Sequence, residues 1–309
     1  MPVDTRQMMP RLSALLASLL SWGLLPASSG GRDLQVDPDH GDDASSSGPL
    51  KTISRAISLA KPGDTIHLRP LVYRDYAGFF GKRGEPGKPI TLDGHGATLE
   101  GSEPLDPGRW REIKPGLFRC DDLLRHLDEA IIHRWFFLWN GRMNRMGRFA
   151  KGKSAPLKKP GDLKAGEWTF VKDAAWQPSR AQQIGGSFYL KLAPGRKLAD
   201  EGLFVPTRSA GVQFAASGTR HNAHLVIRNL TATHAYNDGF NIHGHCEDVR
   251  FENIRAVECG DDGISAHETA QYRVDGLVSI GNATGLCDTG SSETHYRNGV
   301  IRDCGGFDL

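Results

Sequence analysis

The C-terminal third of this 309-residue chain repeats itself, and the repeat limits the fold more than any other feature. Residues 225–230, 249–254, 272–277 and 295–300 align so that Asn229, Asn253, Gly276 and Gly299 share one position, at steps of 24, 23 and 23. Leu230, Ile254, Leu277 and Val300 keep the same steps. A second register agrees: Asn237-Asp238-Gly239, Asp261-Asp262-Gly263 and Ala283-Thr284-Gly285 step by 24 and 22. Two registers with one period mark a solenoid, in which each repeat buries its apolar face on its neighbours. Leucine-rich repeats have a similar period, but their Leu-x-x-Leu-x-Leu frame is absent, and each repeat here holds short strands and no helical segment. One coil of a parallel β-helix fits, with apolar side chains inward and rungs about 4.8 Å apart. Glycine supports this: 37 of 309 residues is about 12%, against roughly 7% in proteins at large. A helix bundle is excluded.

Ahead of the coils, Leu50, Ile53, Ile57 and Ala60 recur at helical spacing, so residues 49–60 read as one amphipathic helix ended by Pro62-Gly63. It would cap the open end of the solenoid, since a sheet edge needs cover. Short strands follow at residues 65–68, 90–92 and 98–100. The acidic run Asp37-Pro38-Asp39-His40-Gly41-Asp42-Asp43 reads as a solvated loop. Alternating carboxylates can bind calcium, but the Glu that closes an EF-hand loop is missing. Residues 107–207 break the period and hold Trp110, Trp135, Trp139, Trp168 and Trp176, five of the six tryptophans. They read as a β-rich insertion with its own aromatic core, in which residues 166–170 and 187–192 pair as strands. The organisation is therefore a leader, 1–29; a cap and first coils, 30–106; the insertion, 107–207; and further coils, 208–309. Whether the last coil is cut short at the C-terminus stays open.

The leader reading rests on Arg6 and Arg11, the apolar stretch 12–25, and the small residues Ala27, Ser28 and Ser29, the pattern of a secretory signal. The expectation is a secreted, periplasmic or cell-surface protein, monomeric and free of the membrane once cleaved. With 38 basic and 36 acidic residues the chain is near neutral, which argues against nucleic acid as a partner. Cys120, Cys246, Cys259, Cys287 and Cys304 show no CxxC spacing and read as small buried hydrophobes.

Asp238 and Asp262 precede equivalent glycines on consecutive coils, so they should stack about one rung apart, with Asp261 at the same corner. Carboxylates that close repel each other and raise at least one pKa. A raised carboxyl can protonate a glycosidic oxygen while an ionised neighbour activates water or attacks the sugar. The alternative is that Asp before Gly is only good turn chemistry. Beyond each glycine, alternation turns Asn241 and His243 outward, with Ser265 and His267 on the next coil. These are the candidate sugar contacts, and His243 and His267 should stack beside the acidic corner. No third ligand accompanies this pair, so no metal site is expected there, and no cofactor is required.

Several of these segments resemble a known group. Lys51-Thr52-Ile53, Ala60-Lys61-Pro62-Gly63-Asp64-Thr65-Ile66 and Val72-Tyr73-Arg74 look like the start of secreted proteins of the pectin-lyase-like superfamily. Leu71 departs from the glycine usual before Val-Tyr. The insertion, with its Gly-Glu-Trp and Phe-Tyr-Leu-Lys-Leu strands, is similar to one in bacterial glycosidase-like members. The resemblance implies an all-β, right-handed parallel β-helix. Within the superfamily, polygalacturonase-type glycoside hydrolases carry Asn-x-Asp-Gly, then Asp-Asp, then Gly-His-Gly on successive coils. Here Asn237-Asp238-Gly239 matches the first in part, Gly260-Asp261-Asp262-Gly263 matches the second, and Ala283-Thr284-Gly285 puts Thr284 where the His belongs. The implied activity is hydrolysis of a polysaccharide or oligosaccharide by Asp238, Asp261 and Asp262. A polysaccharide lyase or uronate epimerase, with Arg250 and Arg273 offering positive charge, and a non-catalytic polysaccharide-binding β-helix are the alternatives.

Overall fold

The computed structural model describes residues 30–306 except 122, 124–126, 146–156, 178–179, 182 and 217–218. The leader expected at 1–29 lies outside the described residues. Those described form a parallel β-solenoid built on two sheets. The long sheet runs through Asp33–Val36, Thr65–Leu68, Ile90–Glu100, Asn222–Thr233, Cys246–Val257, Ala270–Ile280 and Glu293–Arg297, and Val72–Tyr73 and Val300–Arg302 also pair into it. The short sheet stacks Ala77–Phe80, Ala210–Ala215, Asp238–Ile242, Asp262–Ala266 and Thr284–Asp288. All the pairings within these two sheets are parallel.

The 24-residue step is the register itself. Asn222 pairs with Cys246 and Thr233 with Val257 without a slip. The long strands bend at residues with left-handed backbone: Asn229 (φ 54°), Asn253 (φ 50°) and Gly276 (φ 81°). Asn and Gly are the residues that accept this conformation at least cost. The Asn side chains also form a ladder across coils: Asn253 Nδ2 donates to Asn229 Oδ1 at 3.0 Å and Asn229 Nδ2 to Asp93 Oδ1 at 2.9 Å. The last step differs from the sequence alignment. Arg297 pairs with Asp275, so Asn298 (φ 55°), not Gly299, occupies the corner, and Val300 pairs with Val278. Residues 90–92 and 98–100, expected as separate strands, belong to one bent strand whose corner is His95 and Gly96.

Inside the coil, Phe79, Phe214 and Phe240 of the short sheet meet Phe251 and Tyr272 of the long one. Ring centroids are 4.9 Å for Phe79–Phe214, 5.9 Å for both Phe214–Phe251 and Phe240–Phe251, and 5.3 Å for Phe251–Tyr272. Helix α1, Ile53–Leu59, is shorter than the 49–60 expected, and it buries Ile53, Ala56 and Ile57 in this same core. Its start is held by the acidic loop, whose Asp39, His40 and Asp42 are exposed as expected: Asp43 accepts from the Lys51 and Thr52 amides and the Thr52 hydroxyl. Asp37 likewise accepts from the amides of Asp39 and His40 and from Arg69. These carboxylates fasten the first rung. No helix of the described residues is long and apolar enough to cross a membrane.

Residues 102–206 leave the coil and return to it. Ser102–Pro104 pairs antiparallel with Leu203–Pro206 as a stalk. The Gly101 carbonyl accepts from the amides of both Thr207 and Arg208, at 2.8 and 3.1 Å. Above the stalk, Glu167–Lys172 pairs antiparallel with Gly186–Lys191, which pairs in turn with Leu117–Asp121. Trp110, Trp135, Phe137, Trp168 and Phe188 fill a core of their own, as the aromatic content implied. Cys120, Cys246 and Cys259 are buried, while Cys287 and Cys304 are half-buried.

Candidate active site

The acidic corner forms where the short-sheet strands begin. Asp238 and Asp262 lie at equivalent positions, since Phe240 pairs with Ile264, and Thr284 pairs with Asp262 on the next coil. One carboxylate oxygen each of Asp238, Asp261 and Asp262 lies within 4.8 Å of the others. All three are buried, at 2%, 7% and 3% exposure. Asp238 Oδ1 accepts from the Asp262 amide at 3.0 Å, and Oδ2 accepts from the Ser265 hydroxyl at 2.8 Å. Burial raises the Asp238 carboxyl well above the usual carboxylate range, and the charges of Asp262 and Asp261 add to it. The three carboxyls could also hold a cation, as acidic oxygen donors suit hard divalent ions.

The corner is roofed by the insertion. Helix α2, Glu129–Arg134, ends at Arg134, which forms an ion pair with Asp261 at 3.1 Å and donates to Asn237 Oδ1 at 2.8 Å. Trp135 stacks on Tyr236 at 6.0 Å. Arg145 reaches further along the stack, donating to the carbonyls of Cys259 (2.7 Å) and Gly281 (3.2 Å) on successive coils. Neither arginine carries a local motif; each meets its partners across more than a hundred residues.

The other expected site residues divide into two groups. Asn241 (5% exposed) and Ser265 (0%) are buried, not open to solvent. The Ser265 hydroxyl bonds Asp238 and approaches Asn241 Oδ1 at 3.5 Å. His243 and His267 do stack, with centroids 4.0 Å apart and planes within 2°. They stand at the far end of the five-residue strands, however, roughly 16 Å from the acidic corner at the usual strand rise. There His243 faces Glu268 at 3.4 Å and His267 contacts Thr289 at 3.0 Å. Arg250 and Arg273 pair in register, followed by His295, along a cleft of about 490 Å³. That cleft belongs to the long sheet, so these charges cannot neutralise a uronate at the acidic corner.

No family model matches the sequence, and no curated protein matches it. Among solved structures the chain is similar to XylC in complex with xylose, with a TM-score of 0.55 and 13% identity over 89% of this chain. It spans 59% of that protein's length. A glycoside hydrolase (TM-score 0.49, 12% identity, 84% of this chain and 67% of that one) and pectate lyase Pel9A (0.34, 12%, 88% and 64%) align more loosely. The likeness to XylC supports the class defined by the two stacked sheets. The chain is a parallel β-helix protein.

Proposed function

We propose that this chain is a carbohydrate-active β-helix protein that hydrolyses glycosidic bonds of a polysaccharide or oligosaccharide at the acidic corner. One observation carries the reading: three carboxyls converge within 4.8 Å, and burial and repulsion drive one of them towards its protonated form. A carboxyl held protonated is the acid a glycosidic oxygen needs, and the neighbouring carboxylates of Asp261 and Asp262 supply the base or nucleophile. For a sugar to reach Asp238, α2 and its Arg134 have to move aside. The XylC complex adds that a chain of this fold takes a sugar, xylose in that case. Export by the leader at 1–29 belongs to the same proposal, because polysaccharides lie outside the cell.

A second reading, carbohydrate binding without turnover, is favoured by the burial of Asp238 at 2%. A panel of plant and algal polysaccharides separates the readings. New reducing ends without unsaturated-product absorbance support hydrolysis, absorbance supports elimination, and retention on the polysaccharide with neither supports binding. In a hydrolase, Asp261→Asn and Asp262→Asn should each lower turnover about a hundredfold or more, the usual scale for losing an acid or base. Wild-type turnover in both variants would overturn the assignment.

A further inference from the structure

On the outer corner where the coils enter the long sheet, His221, His245 and Glu247 come together. One ligand atom from each lies within 4.8 Å of the others. The two histidines are 24 residues apart, one coil step, and their rings sit 4.9 Å apart at 63°. All three residues are half-buried, so a solute can reach them.

The hydrogen bonds fix which ring atoms are offered. His221 Nδ1 faces the Thr219 carbonyl at 3.3 Å, and His245 Nδ1 faces the Thr269 carbonyl at 3.2 Å. A carbonyl only accepts, so the Nδ1–H tautomer satisfies both contacts and leaves the lone pair on Nε2, where the Arg83 guanidinium donates at His221. This is the arrangement that orients metal-ligating histidines: the far nitrogen is held by a backbone carbonyl and the near one carries the lone pair. At His221 that lone pair lies 3.1 Å from Glu247 Oε1. A lone pair and a carboxylate oxygen that close repel unless a proton or a cation lies between them. Two ligands of a tetrahedral ion with bonds of about 2.0–2.1 Å are separated by roughly 3.3 Å. The Arg83 guanidinium supplies positive charge at this place, contacting both His221 Nε2 and Glu247, the latter at 3.2 Å.

We propose that His221, His245 and Glu247 form a binding site for a divalent transition-metal ion of the Zn²⁺ type, with Arg83 as the competing occupant. Two imidazoles and one carboxylate suit zinc and its neighbours better than calcium or magnesium, which prefer all-oxygen shells. The ion would join two successive coils. The proposal is independent of the acidic corner and of any turnover there.

Calorimetric titration of the intact protein with Zn²⁺, and with Co²⁺ followed by visible absorption, tests it. The expected result is one saturable equivalent, with a Co²⁺ band of four- or five-coordinate nitrogen–oxygen character. His221→Ala, His245→Ala and Glu247→Gln should each weaken binding at least tenfold, and Arg83→Gln should tighten it. Circular dichroism and metal-free melting of each variant separate ligand loss from misfolding. Zn²⁺ should also raise the wild-type Tm and leave that of His245→Ala unchanged. Absence of saturable binding by the wild type would overturn the proposal. Binding that His221→Ala and His245→Ala leave intact would do the same.

Discussion

Asp238 and His234 are tuned in the same direction by different surroundings. Burial first, and then the charges of Asp262 and Asp261, raise the Asp238 carboxyl, so the folded protein binds this proton more tightly than an unfolded chain whose Asp titrates near 3.9. Its contribution to stability is full below about pH 3.9 and is lost as the pH rises towards the folded value. Asp238→Asn escapes that loss, so its Tm should exceed the wild type by a few degrees near pH 7.5, and the gap should close by about pH 4. A variant less stable at both values would show that the oxygen accepting from Ser265 outweighs the repulsion. His234 sits between Glu100 at 3.0 Å and Glu258 at 3.3 Å, tying three consecutive coils. Burial, the largest influence, works to lower its pKa, but the bonds and charges of the two glutamates more than offset it and bring it to about 9. That stabilisation is complete below the unfolded value near 6.5 and disappears as the pH rises through about 9. Melting curves should therefore place His234→Asn, which tolerates the φ of 54° at this position, a few degrees below the wild type near pH 6.5 and level with it near pH 10.

At the scale of the element, the corner ladder and α2 make separate predictions. Asn253→Ala loses the bond to Asn229 and forces alanine into left-handed backbone, at a cost of about 1–2 kcal/mol for the conformation alone. Asn253→Gly should recover the conformational part. Urea midpoints, compared at constant slope, distinguish the two. Arg134→Met leaves Asp261 buried without its cation, which costs about 3–5 kcal/mol when a buried pair is broken on one side. Adding Asp261→Asn should restore most of that loss, and a strictly additive double variant would refute the coupling. The ladder was legible because a left-handed bend admits few residue types. Its last step was misread because Asn298 and Gly299 both qualify, and the choice falls to Asn298 through its bond to Asp275 at 2.7 Å. The ends of α2 and the reach of Arg134 were not legible, because they depend on docking of the insertion and on no local pattern.

For the molecule as a whole, the period supplied the solenoid and the glycine register brought Asp238, Asp261 and Asp262 together. The roof over them was hidden from the sequence, and so was the burial of Asn241 and Ser265, the latter a support for the Asp238 carboxyl. Alternation along a strand tells which side chains leave the coil, but not whether another segment lies over them. The stacked pair His243–His267 shows the complementary limit: the coil step predicted the stacking, but a stack at the end of a strand is a full strand length away from one at its start.

The stalk of the insertion has a further consequence. Its two ends meet on one carbonyl, that of Gly101, so the coil on either side closes whether the excursion between them is long or short. Loop length adds little to closure entropy once the ends are fixed, about 0.6 kcal/mol per doubling. The 102–206 segment is thus an exchangeable cassette on a continuous spool. Lengthening, trimming or replacing it leaves the rungs in register, and what such an exchange alters is the lid over the carboxyls beneath.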